Sequence, residues 1–306
     1  MSAAPTSRPA ATTVQTASPL RNLLFGTMPG IFVVLWSTGF IGAKLGLPYA
    51  GPMTFLALRF LIVAAVMLAV SVAAGAAWPR SWREAGHVAA VGLLIQFTYL
   101  GGVFFGIAHG VAAGLAALIV GLQPALTAAF VGGVLGERIT PRQWLGFALG
   151  LVGVAVVVWN KLAFDPRTLA GLATVLAALV GITVGTLYQK RFCADLDLRT
   201  GTAIQNGAAA AAMLLCALAF EELHVDWTGQ FLFALGWLCL VLSIGATMLF
   251  LFLLRLGAAA RTASLFYLVP PVTAFIAYFL FDEMLGVTAV VGLIIAMTGV
   301  LLVNRR

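Results

Sequence analysis

Charged residues are scarce in this chain, which has 306 residues, of which 9% are Asp, Glu, Lys or Arg and 62% are hydrophobic. A water-soluble domain of this size needs a far more charged surface, so that class is excluded. Cysteine is also rare, and Cys193, Cys216 and Cys239 match neither a metal-binding spacing nor a disulfide framework. Catalytic triads, paired carboxylates and glycine-rich phosphate loops are lacking too. We therefore expect no enzyme, no metal and no cofactor.

Apolar runs of about twenty residues recur along the whole chain, and each is long enough to cross a bilayer as a helix. The predicted spans lie at 27–47, 52–75, 85–107, 111–135, 142–159, 168–190, 201–220, 231–254, 262–281 and 287–303. The fold class is thus predicted as an all-α membrane protein with ten transmembrane helices. Residues 1–20, rich in Ala, Thr, Ser and Pro, are expected to be a disordered cytoplasmic segment.

Basic residues between the predicted spans fall almost entirely on one side of the membrane. If the N-terminus is cytoplasmic, the outer loops hold only Lys161 and Arg167. The inner side carries Arg8, Arg21, Arg80, Arg83, Arg138, Arg142, Lys190, Arg191, Arg199, Arg255, Arg261, Arg305 and Arg306. This positive-inside pattern predicts that both termini are cytoplasmic. The net charge of +7 is therefore explained by membrane topology, and no nucleic acid partner is expected.

The second half of the chain matches the first half at a single shift of 146 positions, from residue 39 to residue 303. Matched residues include Gly39 with Gly185, Lys44 with Lys190, Thr54 with Thr200, Pro124 with Pro270, Glu137 with Glu283, Gly146 with Gly292 and Gly153 with Gly299. The shift predicts two five-helix repeats, at 21–160 and 161–306. Because five is odd, the second repeat enters the bilayer from the opposite side. Inverted repeats of this kind place one site between two halves in many transporters.

Arg59, inside the second predicted span, is the strongest candidate for a site residue. An arginine at the centre of a span costs about 2.5–3.5 kcal/mol on insertion scales, so it needs a partner or a wet cavity. Two interpretations are open: Arg59 faces a central cavity, or its side chain reaches back to the outer headgroups. Its repeat mate is Gln205, followed by Asn206, and this shared polarity favours the cavity.

Other polar and aromatic residues in the spans complete the predicted substrate site. Polar groups inside a span must be satisfied by protein or water, which makes each a candidate. The predicted binding residues besides Arg59 are Trp36, Gln96, Tyr99, Gln123, Gln205 and Tyr267. Pro124, Pro270 and Pro271 remove backbone hydrogen bonds near the middle of their spans and predict kinks that gate the site, although kinks that serve packing alone are the other interpretation.

Charged residues at helix ends allow two interpretations each. Lys44 and Lys190 either mark the membrane interface or attract an anion at the two mouths of a pathway. Glu137 and Glu283 are either solvated helix ends or gate latches. No Asp or Glu lies in the interior of a span, so proton coupling would run through His109 or a Glu at a helix end; uncoupled transport is equally open.

Four stretches carry a resemblance to a known family. They are LWSTGFIGAKLGLPYAGPMTFLALRF at 35–60, LQPALTAAFVGGVLGERITPRQWLGFALGLVGV at 122–154, GTLYQKRFCADLDLRTGTAIQ at 185–205 and LVPPVTAFIAYFLFDEMLGVTAVVGLIIAMTGV at 268–300. From residue 21 onward the chain resembles EamA-type transporters of the drug/metabolite transporter superfamily. The resemblance implies a ten-helix inverted-repeat fold in the bacterial inner membrane. It also implies export of small metabolites, often amino acids, by alternating access.

The chain departs from the small multidrug-resistance relatives, which carry an essential glutamate shortly before a lysine that resembles Lys44. Residues 36–40 and 182–188 hold no acid here, which disfavours that cation antiport mechanism. We therefore expect an exporter of amino acids or related compounds, in which Arg59 either holds the substrate carboxylate or shapes the electrostatic potential of the cavity. The alternative is an exporter of aromatic or cationic toxic compounds, suggested by Trp36, Trp237 and the many Phe residues.

A lipid-processing membrane enzyme is disfavoured because no Asp, His and Glu cluster is present, whereas a non-transporting partner subunit stays open. The expected partners are a small solute and the lipid bilayer, and monomer and homodimer are both open.

Overall fold

A computed structural model describes residues 19–127, 130, 140–159, 165–194, 196–247, 249, 253, 265–283 and 286–304. Helices account for most of these residues. They are α1 (Pro19–Gly46), α2 (Pro52–Ala73), α3 (Trp82–Ala108), α4 (Ala113–Thr127), α5 (Pro141–Trp159), α6 (Pro166–Phe192), α7 (Leu198–Phe220), α8 (Gly229–Ala246), α9 (Phe266–Phe281) and α10 (Val287–Asn304).

Six of these elements, α1, α2, α3, α6, α7 and α8, are long and apolar enough to cross a membrane. The shorter apolar helices lie in α4, α5, α9 and α10 of the described part. Each predicted span overlaps a described helix, and the described residues are mostly helical as expected. The count of ten membrane-crossing helices stays a prediction. Of the predicted disordered segment 1–20, residues 1–18 lie outside the described residues, and residues 19–20 belong to α1.

Proline and side-chain caps set where several helices begin. Pro166 opens α6, where its fixed φ suits the first turn and its missing N–H costs no hydrogen bond. Asp165, Asp197 and Thr228 accept hydrogen bonds from backbone N–H groups in the first turns of α6, α7 and α8. The Arg199 guanidinium, bonded to the Asp197 carboxylate at 2.7 Å, lowers the pKa of Asp197 to about 2, which keeps this cap charged.

Helices α2 and α7 pack against each other in antiparallel fashion and are joined at both ends. At one end, the Glu221 carboxylate accepts hydrogen bonds from the backbone N–H groups of Met53 and Thr54, at 2.8 Å each, and from the Thr54 hydroxyl at 2.7 Å. At the other end, the Thr200 hydroxyl donates to the Ala77 carbonyl at 2.8 Å. Thr54 and Thr200 are repeat mates, so the two ends are joined in corresponding ways.

Helices α5 and α10 also cross through repeat-related contacts, here between small residues. A Cβ on Gly153 would lie 2.5 Å from the Gly292 carbonyl oxygen, and a Cβ on Gly299 would lie 2.6 Å from the Gly150 backbone nitrogen. Neither position has space for a side chain. Close approach of this kind gives membrane helices their van der Waals contact, since lipid supplies no hydrophobic driving force between them.

Two further helix pairs correspond through the same shift. Helix α1 packs on α8 with Gly39 against Leu242, and α6 packs on α3 with Gly185 against Ile95. Both α3 and α8 contain a π-helical segment, at Leu93–Leu100 and Trp237–Ala246. A shift of 146 maps the second segment onto residues 91–100, so the third helix of each half departs from regular α geometry at the corresponding position. The sequence analysis did not predict these segments.

Substituting the glycines of the α5–α10 contact should reveal its close packing. Where a helix has room for a methyl group, Gly→Ala raises the stability of the protein by about 0.5–1 kcal/mol. At Gly299 the added methyl group meets backbone, and we expect destabilisation of about 1–3 kcal/mol instead. The midpoint of thermal unfolding in detergent measures the change in stability of each variant. Gly207→Ala is the matched control, because a Cβ there meets nothing within 4 Å. Equal shifts in the two variants would contradict the close contact.

Candidate functional site

The Arg59 side chain is buried inside the helix bundle, with 4% of the residue exposed. Arg59 is the eighth residue of α2 and lies about 10 Å along the helix from Pro52. Its Nη2 donates to the Ser243 hydroxyl of α8 at 3.1 Å, and its carbonyl oxygen accepts a weak bond from the Cys239 thiol at 3.8 Å. The guanidinium therefore points into protein and does not reach the surface at the end of α2.

The charge of Arg59 is not balanced by any carboxylate in the part of the chain that the structure describes. The ion pairs there join Lys44 with Glu283, Arg199 with Asp197 and His224 with Asp226. The Arg59 Nε has no hydrogen-bond partner among the described residues. A buried charge without a partner is costly, and an anion at this position would lower that cost.

The π-helical segment of α8 borders this charge, since both Ser243 and Cys239 belong to it. Tyr99, in the π-helical segment of α3, which is the first of the two in chain order, is buried. Gln205, the repeat mate of Arg59, has its backbone against Gly92, just before the first segment, where a Cβ would lie 2.6 Å from the Gln205 Cα. Each half thus places its polar α2 or α7 residue beside the π-helical segment of the other half. Such segments occur often at functional sites.

A second polar group lies between α4 and α6. The Gln123 amide donates to the hydroxyls of Thr127 at 3.1 Å and Thr186 at 3.3 Å. The regular helix of α4 is interrupted by a turn at 121–122, two residues before Pro124. A proline lacks the N–H that would bond the carbonyl four residues earlier, which accounts for a break at this position.

Helix α9 holds a third group, around Tyr267. The 3₁₀ turn Phe266–Leu268 precedes a regular helix in which Pro270 and Pro271 occupy the first turn. Tyr267 is 5% exposed, and neither its hydroxyl nor that of Thr273 has a hydrogen-bond partner among the described residues. Tyr267 lines a pocket between α4, α9 and α10, together with Leu118, Gly121, Leu122, Pro270, Ala296 and Met297. The pocket holds at most about one water molecule.

Aromatic and hydroxyl residues of α1 connect these groups. Trp36 packs edge-on against Phe266, with ring centroids 5.1 Å apart, and tilts on Phe32 at 5.4 Å. The Ser37 hydroxyl lies 3.3 Å from the Val269 carbonyl of α9, and the Trp237 indole N–H of α8 donates to the Thr38 hydroxyl at 2.9 Å. Helix α1 therefore contacts both α8 and α9 at the level of the site.

The predicted site residues form three neighbouring groups instead of one cluster. Arg59 and Gln205 lie beside the π-helical segments, and Tyr99 lies within the one in α3. Gln123 lies between α4 and α6. Trp36 packs on Phe266 of α9, and the adjacent Tyr267 lines the pocket between α4, α9 and α10. Gln96 is half-buried within Leu93–Leu100.

The sequence analysis missed Thr38, Thr186 and Cys239. Short hydroxyls in membrane helices usually bond their own helix, so nothing in the sequence distinguishes the two that bond across helices.

Charged residues at the predicted outer end bond across the bundle. The Lys44 ammonium at the end of α1 forms an ion pair with the Glu283 carboxylate, which follows α9. Glu283 also accepts a hydrogen bond from the Ala113 N–H at the start of α4, at 3.3 Å. Lys44 is therefore not merely an interface marker. His109 bonds the Phe105 carbonyl of its own helix at 2.8 Å, and Glu137 lies outside the described residues.

In the described part of the chain, apolar helices enclose a cation without a carboxylate partner and several polar groups, an arrangement typical of membrane transporters. The chain belongs to the EamA-like transporter family, whose model matches it twice, at residues 24–159 and 169–305. The predicted family is thus confirmed, and like its bacterial relatives the chain is a multi-pass protein of the inner membrane.

Several known proteins are similar to this chain. The Bacillus subtilis uncharacterized transporter YvbV is 26% identical over 276 residues, which covers 90% of this chain and 89% of that protein. A probable amino-acid metabolite efflux pump of Salmonella typhimurium is 27% identical over 166 residues, 54% of this chain and 53% of the pump. A solved crystal structure superimposes with a TM-score of 0.63 at 21% identity, covering 91% of this chain and 96% of the other, which shows the fold alone.

Replacing Arg59 by methionine should stabilise the protein. Arg59→Met removes a buried charge that has no counter-charge while keeping an unbranched apolar side chain. We expect a higher midpoint of thermal unfolding in detergent, with a gain of at most about 2.5–3.5 kcal/mol. Arg167→Met, at an exposed position near the start of α6, is the control and should change stability by less than about 0.5 kcal/mol. A lower midpoint for Arg59→Met would mean that the guanidinium holds the fold together.

Proposed function

We propose that this chain is a secondary-active or facilitative exporter of small carboxylate-bearing metabolites, amino acids above all. In this proposal the two halves are inverted five-helix repeats that give alternating access to a cavity between them. The observation that carries it is the buried Arg59 guanidinium, which lacks a carboxylate partner in the described part of the chain. The name of the Salmonella relative, a probable amino-acid metabolite efflux pump, supports the same substrate class.

Arg59 would bind the substrate carboxylate through its Nε, which has no hydrogen-bond partner among the described residues. Arginine presents its donors in a planar fork that matches a carboxylate, and such charge-assisted bonds are stronger than neutral ones. Ser243 would orient the guanidinium, and the buried Tyr99 would supply a hydrogen bond to the substrate. Gln96, Gln123, Gln205 and Tyr267 would supply further hydrogen bonds, and Trp36 would contact the apolar part of the substrate.

The two interrupted helices would gate the cavity. Helices α4 and α9 contact each other through Gly114 against Ala274 and Gly121 against Pro270. Both lose regular helical bonding beside a proline, so each can change its angle there without breaking further hydrogen bonds. Discontinuous helices at corresponding positions of two repeats are typical of the binding region in secondary transporters.

A second proposal, export of aromatic or cationic toxic compounds, is favoured by the cluster of Phe32, Trp36 and Phe266. Their ring centroids lie 5.1–5.4 Å apart, and aromatic faces attract organic cations. The buried charge of Arg59 opposes a cation close by, which is why the carboxylate proposal is preferred.

Counterflow in proteoliposomes tests the substrate class. Vesicles are loaded with an unlabelled amino acid, and accumulation of the same labelled compound is compared with that of the decarboxylated amine of each amino acid. We expect exchange of amino acids and none of the amines, because Arg59 recognises the carboxylate. Arg59→Met should lower the initial rate by about 10- to 100-fold, the range set by a hydrogen bond to a charged group.

Arg167→Met is the control and should exchange at the wild-type rate. Exchange of amines or aromatic cations that Arg59→Met leaves unchanged would overturn the carboxylate proposal in favour of the detoxification proposal. Since Arg59→Met is expected to be stably folded, loss of exchange in that variant is not explained by misfolding.

A further inference from the structure

The ends of α2 and α7 are joined by bonds that do not depend on an ion pair. Glu221 accepts three hydrogen bonds from Met53 and Thr54, and Thr200 bonds the Ala77 carbonyl at the opposite end. Glu221 has no cationic partner among the described residues. Both ends of this helix pair are therefore held by hydrogen bonds.

The outer end of α1 is bonded to the segment that follows α7, since the Asp226 N–H donates to the Tyr49 carbonyl at 2.8 Å. The Lys44–Glu283 pair joins this end of α1 to the end of α9, and the Ala113 N–H adds the start of α4 to the same carboxylate. These are the helices whose middle sections carry Trp36, Gln123 and Tyr267. The Lys44 ammonium also lies 4.6 Å from the centre of the Phe281 ring, which shields one side of the pair.

The exposure of the pair suits a bond that opens and closes. The Lys44 side chain is 30% exposed and the Glu283 side chain 16% exposed. Water can therefore solvate either charge as soon as the partners separate, and the desolvation cost that makes a fully buried pair permanent is largely avoided. The pair favours the closed arrangement, yet a modest free energy is enough to break it.

We propose that Lys44 and Glu283 form the latch that closes the predicted outer end of the transport pathway, an inference that rests on the proposed alternating access. Separation of the pair frees the end of α1 from the ends of α4 and α9 and opens a path toward Arg59. Lys190, the repeat mate of Lys44, ends α6 at the opposite face and is exposed in this structure. Glu137, the repeat mate of Glu283, lies outside the described residues.

The native thiol of Cys239 reports on this path, because it contacts Arg59 and is 2% exposed. In a Cys193→Ser, Cys216→Ser background, an anionic, membrane-impermeant methanethiosulfonate is added to the outside of intact cells. Lys44→Met and Glu283→Gln should each raise the rate of Cys239 labelling by about two- to fivefold. Glu283→Gln keeps an oxygen for the Ala113 N–H, so it removes the ion pair with little other change.

A double-mutant cycle separates a latch from two independent effects. If the two residues act through their mutual bond, Lys44→Met combined with Glu283→Gln labels no faster than either single variant. Lys44→Arg should keep the wild-type rate, and Lys190→Met, the matched control at the opposite face, should not raise it. Unchanged labelling in both single variants, or multiplied effects in the double variant, would overturn the latch.

Labelling requires no transported compound, so this test is independent of the substrate proposal. Faster labelling without amino acid exchange would support the latch and overturn the substrate class. If amino acids are exchanged but neither single variant changes the labelling rate, the substrate class is supported and the latch is overturned. Elution of each variant as a single peak in detergent chromatography verifies that the comparison is made on folded protein.

Discussion

Close approach of helix backbones at small residues is the constraint on which this structure depends. In lipid, apolar side chains gain nothing by leaving their surroundings, so helices associate through tight van der Waals contact. Gly153 and Gly299 provide that contact between α5 and α10, and Gly39 and Gly185 provide it between α1 and α8 and between α6 and α3. The resulting scaffold is rigid enough to hold polar side chains in its interior.

The interior polar groups lie where the helices depart from regular α geometry. Arg59 faces one π-helical segment, Gln123 follows the turn in α4, and Tyr267 lies in the 3₁₀ turn of α9. Interrupted helices leave backbone groups free, and in lipid such groups have to face protein, water or a bound solute. The same positions therefore provide adaptable backbone, hydrogen-bonding capacity and one uncompensated positive charge. This combination is costly for a purely structural core and suited to a site that a charged solute enters and leaves.

Much of the fold could be predicted from the sequence, because each membrane helix requires a run of apolar residues. The self-similarity at one shift predicted which helices correspond, and the contacts of Thr54 and Thr200 follow that correspondence. Arg59 was identified because a charge inside a span is rare enough to be informative. The bond between Lys44 and Glu283 could not be predicted, since a charge at a helix end has the same sequence pattern whether it faces water or a partner. The π-helical segments were not predicted, because a π-turn adds one residue to a helical turn without altering the hydropathy of the sequence.

The matched positions of the two π-helical segments bear on how alike the two halves are. A π-turn accommodates one more residue than an α-turn, so each segment represents a local insertion into a regular helix. One shift of 146 aligns the residues before and after both segments. Both halves therefore carry the extra residue at the same place. A single substitution or deletion that restores regular α geometry in one half would leave the two halves unlike, with a different helical phase for every residue beyond that point.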